Sequence, residues 1–378
     1  MFSTYGYLMV YLLFFVGAVL VNSYKLRETG IVKVFLALYI IIFTFRGSEV
    51  GFDYSNYITV FNRGKNISLD NYLTKISWME KGYLLLNKLV ISIGGDIRLL
   101  QFIIITVFSV IVYKFMVRYT KSPLTALFLL YGMGCLFTPM NILRAIFSVV
   151  LCMLAFERAE DQKWVKSIIW ILVALTFHTS AIIGIIIIIL FKFKPKVSVK
   201  NMLKIGLLSI VVVKEFDILL DIGLRLLPKY EVYFGQDKMG YVKGGSISYF
   251  IVFIAFFIFA YHFRKNFVLE VNSSEDGQRE AIRELEIYDT LLWINVFGIV
   301  IATLSVQLSL MNRFMFLPLF MSCILITKAI RSIKNPGTRL LFYLAIIVCV
   351  IGYSYIYLYV AENGFGRDGV VPYLFYKM

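Results

Sequence analysis

Histidine is nearly absent from this chain, two in 378 residues, and the four cysteines, Cys135, Cys152, Cys323 and Cys349, all lie inside apolar runs. Placed there they act as small hydrophobes, so neither a disulfide framework nor a metal centre is expected. Charge is also scarce: 16% of residues are Asp, Glu, Lys or Arg against 60% hydrophobic, and prolines number only seven. A soluble fold cannot accommodate that composition, which belongs to an integral membrane protein. Walker, GxGxxG-before-helix and HExxH patterns are all missing, so nucleotide and zinc chemistry lack their signatures and no cofactor is expected.

What the chain does have is a succession of apolar runs, many of them long enough for a bilayer core of about 30 Å. They fall near 4–22, 31–45, 97–117, 124–138, 141–156, 167–191, 201–221, 246–263, 287–307, 312–330 and 340–360. The expected fold is an all-α polytopic membrane protein with about 10–12 transmembrane helices, read as one integral membrane domain over residues 1–378. The first run lacks a basic leader and a small-residue cleavage site, so it is read as retained. The net charge of +15 comes from Lys and Arg in short loops between runs. There they set topology and meet anionic headgroups of membrane lipids; nucleic-acid binding is not expected.

One run stands apart. Lys166 and Lys192 bracket 25 apolar residues, Ser167 to Phe191, with Thr176-Phe177-His178-Thr179-Ser180 at the middle. A straight helix would bury His178 at the bilayer midplane; two short helices meeting near His178 would instead form a re-entrant hairpin. Charge favours the hairpin. Beyond it, loops 192–204, 264–283 and 328–339 carry 13 Lys/Arg, whereas 222–245, Arg313 and 361–378 carry 7. If the chain returns to its starting side, the rich loops join 25–33, 114–121 and 158–166 on one face, which the positive-inside rule makes cytoplasmic. Against this, the long segment from Arg46 to Arg98, assigned outside, holds seven basic residues. That topology places the 46–96 segment, Arg144, His178, Arg313 and the C-terminal tail on the outer face. The mixed-charge stretch 265–286 is read as a solvated cytoplasmic loop with a short helix and no catalytic role.

Charged residues recur at the outer ends of the runs, where a polar cavity would form. Arg46 opens a stretch with Glu49, Asp53, Tyr54 and Tyr57, in which an arginine fork suits phosphate oxygens, carboxylates accept sugar hydroxyls, and tyrosines offer stacking faces. A snorkelling Arg46 beside a solvated turn is the plainer account. Glu80 starts an apolar helix, where an acid also suits the helix dipole. Arg144, after Pro139, stands in a first helical turn and opposes the dipole, so it needs an anion or a watery cavity. His178 can exchange a proton near neutral pH, or be merely hydrogen-bonded to backbone. Asn312-Arg313 enters another run, where snorkelling is the alternative.

In series these stations resemble the EpsG family, a branch of the Wzy-type O-antigen and exopolysaccharide polymerases. The matching pieces are Arg46 to Tyr57, Glu80 to Asn87, Leu143-Arg144-Ala145, Phe177-His178-Thr179-Ser180, Asn312-Arg313-Phe314 and Val371-Pro372-Tyr373, in the family's order across almost the whole chain. Lys81 stands where many relatives carry proline. The resemblance implies a GT-C-like glycosyltransferase in the bacterial plasma membrane, acting on its outer face without metal. Its substrates would be undecaprenyl-pyrophosphate-linked oligosaccharides, with a chain-length regulator as an open partner. Arg46, Arg144 and Arg313, with Tyr54, Tyr57 and Asn312, are then expected at the substrate, and His178, Asp53 or Glu80 as the proton acceptor. A lipid-linked oligosaccharide flippase is the alternative; it would be expected to show internal repeats and charges at several depths. A membrane acyltransferase would need a route for a cytosolic donor.

Overall fold

Helices in this chain start and stop where side chains dictate. In the computed structural model, residues 3–76, 78–215, 218, 221–222, 225, 247–273, 277–306, 309–360 and 369–375 are described. Among them the elements in chain order are α1 (Thr4–Tyr24), α2 (Glu28–Thr44), α3 (Tyr54–Lys65), α4 (Leu69–Lys75), α5 (Lys81–Ser92), α6 (Ile97–Tyr119), α7 (Pro123–Gly132), α8 (Thr138–Asn141), α9 (Leu143–Glu160) and α10 (Trp164–Leu175). After the 3₁₀ turn Thr179–Gly184 come α11 (Ile185–Phe193), α12 (Val199–Lys214), α13 (Ile247–Ser273) and α14 (Gln278–Ser305). A second 3₁₀ turn, Ser309–Phe314, leads into α15 (Phe316–Arg331), followed by α16 (Pro336–Val360). Asp96 shows the local logic: its carboxylate accepts the Arg98 and Leu99 amides at 3.1 and 3.0 Å, satisfying donors that α6 would otherwise strand. Pro123, in the first turn of α7, gives up an amide that had no helical partner there.

The fold is the expected all-α polytopic membrane class. Among the described residues six segments are long and apolar enough to span a bilayer, α1, α6, α13, α14, Met311–Arg331 and α16, and shorter apolar helices accompany them. The 124–138 run ends as α7 at Gly132, and α8 is a separate single turn. The 201–221 run is helical in α12 through Lys214.

The 265–286 stretch is corrected as well: α13 continues to Ser273 and α14 begins at Gln278, so the charged residues extend two long helices past their apolar windows. Glu275, Asp276, most of 222–245 and residues 361–368 and 376–378 lie outside the described residues.

The run around His178 is a hairpin. A straight 25-residue helix would hold its ends about 37 Å apart. Instead Trp164, at the start of α10, lines the same cavity as Lys192 and Lys194, at the end of α11. The Phe191 ring also lies 4.9 Å from that of Phe156. His178 sits in the break between α10 and the 3₁₀ turn.

The chain divides into two compact units, residues 1–155, 169–182 and 333–378, and residues 156–168 and 183–332. In the first, α2 packs on α6 and α7, and α1 on α16. The C-terminal tail is tied in by polar bonds: the Tyr7 hydroxyl donates to the Val370 carbonyl at 2.6 Å, and that of Tyr373 donates to the Ile42 carbonyl. α16 buries little of its apolar window, 17%, as a lipid-facing helix does.

In the second unit α13, α14 and α15 pack together, and 89% of the Met311–Arg331 window is buried. Several polar groups inside it are paired. Arg264 grips Asp289 through Nε and a terminal nitrogen, both at 2.6 Å, and Asn295 Nδ2 donates to Ser322 Oγ at 2.9 Å. Trp293 Nε1 donates to the Pro195 carbonyl at 2.9 Å, holding the segment after α11 against α14.

The hairpin sets a labelling pattern. With the native cysteines replaced, cysteines introduced singly at Gln162 and Lys192 should react with a membrane-impermeant maleimide from the same side of an oriented membrane. Labelling from opposite sides would mean a full crossing.

Candidate functional site

The site in the first unit grows from the end of α2. Phe45 leaves the helix, and the next residues run beside the C-terminal tail: Arg46 pairs with Phe375 in an antiparallel bridge, the Gly47 amide donates to the Leu374 carbonyl at 2.7 Å, and that of Gly51 to Gly369 at 2.9 Å. Gly51 has φ +98°, and a Cβ there would stand 2.0 Å from the Met140 carbonyl oxygen, so only glycine fits. The contact brings this strand against α8. Two residues on, the Asp53 amide donates to Asn141 Oδ1 at 2.9 Å, just before Arg144.

Arg46 is fully buried, with its guanidinium carbon 4.0 Å from the centre of the Phe43 ring and 4.3 Å from that of Tyr54. Nε and both terminal nitrogens have no hydrogen-bond partner among the described residues. Cation–π contacts offset about 2 kcal/mol each when desolvated, whereas burying an uncompensated ion costs several kcal/mol and leaves five N–H donors unused. Burial pulls the Arg46 pKa down to about 10, partly countered by the surrounding tyrosines, which leaves it cationic at neutral pH. Buried between two rings, Arg46 is not a snorkelling side chain.

Arg144, in the first turn of α9, is paired: a terminal nitrogen bonds Glu80 Oε2, with the two side chains 13% and 15% exposed. Its guanidinium carbon lies 5.8 Å from the ring centres of both Tyr57 and Tyr83. Its Nε has no partner among the described residues. Tyr54 and Tyr57, nearly one turn apart on α3, therefore serve one arginine each, which explains their spacing.

Glu80 is the N-cap residue of α5 but makes no side-chain capping bond. Its carboxylate instead takes Arg144 on one oxygen and the Thr179 amide, at 3.3 Å, on the other. Next to it the Gly82 amide donates to the Thr176 carbonyl at 2.8 Å, and a Cβ on Gly82 would meet Thr176 Oγ1 at 2.3 Å. The hairpin tip thus docks on the start of α5. His178, 6% exposed, lies at that tip. The Ser180 amide donates to His178 Nδ1 at 3.1 Å, and Ser180 Oγ lies 2.7 Å from the same nitrogen. A backbone amide can only donate, so Nδ1 accepts and the neutral ring carries its proton on Nε2.

Arg46, Asp53, Tyr54, Tyr57, Glu80, Arg144 and His178 all belong to the first unit. Asn312 and Arg313 lie in the 3₁₀ turn of the second, half-buried, with Asn312 Oδ1 unpartnered among the described residues. Tyr83, Asn141 and Tyr373 are not among the residues expected at the site from the sequence, though Tyr83 lies in the Glu80–Asn87 stretch and Tyr373 in the Val371–Tyr373 stretch. Tyr83 and Tyr373 are buried against the arginines' surroundings, and Asn141 anchors the Asp53 turn.

A family model described as the EpsG family matches residues 31–375. The chain belongs to the EpsG family. EpsG proteins are a Wzy-like polymerase family, which assigns this member to polysaccharide polymerases of the glycosyltransferase type, acting on lipid-linked oligosaccharide. Comparison with curated proteins and with solved structures returns no match.

The Arg144–Glu80 pair is buried enough for partner removal to be costly. Glu80→Gln should lower unfolding stability in detergent by about 3 kcal/mol, and Glu80→Gln combined with Arg144→Gln by clearly less than the sum of the single changes. Additive losses would show that the two side chains are not coupled.

Proposed function

We propose that this EpsG-family protein joins oligosaccharide repeat units carried on undecaprenyl pyrophosphate, at the outer face of the bacterial plasma membrane, by a GT-C-type glycosyl transfer. The observation that carries this reading is Arg46: a fully buried guanidinium, held between two rings, whose nitrogens have no hydrogen-bond partner among the described residues. Phosphate oxygens match its fork, and a pyrophosphate offers enough of them to engage Arg144 Nε as well.

In the reaction, a hydroxyl oxygen of the acceptor sugar attacks the anomeric carbon of the donor. The bond from that carbon to the phosphate oxygen breaks, undecaprenyl pyrophosphate leaves with the electron pair, and the hydroxyl proton passes to a base. Arg46 and Arg144 stabilise the charge that grows on the leaving group, a preorganised electrostatic role in a site shielded from bulk water. Tyr54 and Tyr57 form the walls behind the arginines.

His178, with Nδ1 occupied by the Ser180 amide, is better suited to donate from Nε2 to a phosphate or sugar oxygen than to take a proton. That leaves a carboxylate, Glu80 or Asp53, as the base. Glu80 already orients Arg144, so protonating it during turnover would loosen the arginine as the leaving group departs.

The test is a reconstituted reaction: purified protein in detergent with the cognate lipid-pyrophosphate-linked repeat unit, products separated on a gel. A ladder spaced by one repeat unit is expected. Arg46→Ala and Arg144→Ala should each cut its formation at least about 100-fold, and loss of the base by a similar or larger factor. Unchanged substrate with folded wild-type protein would favour the flippase. Full-length ladders from Arg46→Ala would remove that arginine from the mechanism.

A further inference from the structure

The second unit holds a cavity of about 470 Å³ that the polymerase reading does not use. It is built where the α9–α10 turn, the end of α11 and the first turns of α14 converge. Four cations line it, Lys192, Lys194, Arg279 and Arg283, against two carboxylates, Glu160 and Glu286. Both carboxylates are engaged: Arg283 Nε donates to Glu160 Oε1 at 2.6 Å, and Lys194 Nζ to Glu286 Oε1 at 2.6 Å. Lys192 and Arg279 are exposed and have no ion pair among the described residues. The cavity therefore carries two cations in excess, one a point charge and one a fork, facing a common space.

Its border is apolar. Trp164 lines the cavity, and Val165 and Phe193 beside it are 71% and 70% exposed. Exposed apolar groups next to lysine and arginine at helix ends are the pattern of a membrane interface, where tryptophan settles at headgroup level and basic side chains reach for phosphate. The three segments that converge here are also ones whose loops the positive-inside rule puts on the same, cytoplasmic, side.

We propose that this cavity is a phosphate-binding site, with Lys192 and Arg279 as its principal contacts and the ion-paired Lys194 and Arg283 as its rigid walls. The exposed apolar border makes an anionic phospholipid headgroup the favoured source of the phosphate, and a free phosphate the other. The site is independent of glycosyl transfer, so it stands or falls apart from the polymerase assignment.

The experiment titrates the detergent-purified full chain with dioctanoyl phosphatidylglycerol, with phosphatidylcholine of the same chains, and with inorganic phosphate, following binding by native mass spectrometry. Saturable phosphatidylglycerol binding, with little to phosphatidylcholine, is expected. Lys192→Gln and Arg279→Gln should each weaken it roughly fivefold and together about 25-fold, while Lys265→Gln, the same charge change on α13 outside the cavity, should leave it unaltered. Both changes remove exposed side chains without ion-pair partners, so folding should persist, which circular dichroism checks. Inorganic phosphate binding with the same dependence on Lys192 and Arg279 would support the site and make the free anion its source. Binding of neither probe, or phosphatidylglycerol binding that the two substitutions do not weaken, would overturn the proposal.

Discussion

Positive charge taken out of water without a compensating anion is the constraint around which the first unit is organised. Arg46 meets it with two aromatic faces and no hydrogen-bond partner among the described residues, and Arg144 meets it with Glu80. The two solutions differ in consequence. A paired arginine is a strut; an arginine backed by rings leaves its N–H donors unengaged among the described residues. Both depend on α3, whose Tyr54 and Tyr57 stand beside one guanidinium each, and α3 is held in place by the Asp53–Asn141 bond and the Gly51–Met140 contact.

Glu80 extends this organisation to the hairpin. By accepting both Arg144 and the Thr179 amide, one carboxylate ties α5, α9 and the tip that carries His178. Gly82 makes the approach possible because any side chain there would collide with Thr176. An irregular backbone at membrane depth is tolerated where protein surrounds it, and the tip has its amides answered by Glu80 and by the His178 ring.

The same hairpin returns the chain to the basic cavity of the second unit. At its base, Trp164 at the start of α10 and Lys192 and Lys194 at the end of α11 line that cavity. Ion pairs stiffen that base, and the two cations left over give it a binding character that the loop charges alone would not predict.

Much of this could be read from residue order. Composition and run length determine the membrane class, because apolar stretches have no other stable home, and local polarity marks Arg46, Glu80, Arg144 and His178 as residues needing partners. The imbalance of Lys and Arg between loops pointed to the hairpin for a reason independent of its geometry. Residue order did not show that residues 265–273 and 278–286 are helical: mixed charge suits a solvated loop and a helix end equally, and the choice falls to how α13 and α14 pack. Nor did it show how many runs are long helices, since breaks such as that after Gly132 depend on tertiary contacts. Only the folded chain decided which of the marked residues meet: Glu80 chose Arg144 over its own helix dipole, and Arg46 has rings and no acid partner among the described residues. Those choices rest on distances between residues up to 99 positions apart, as for Glu80 and Thr179, and such distances are fixed by packing, not by any local preference of the sequence.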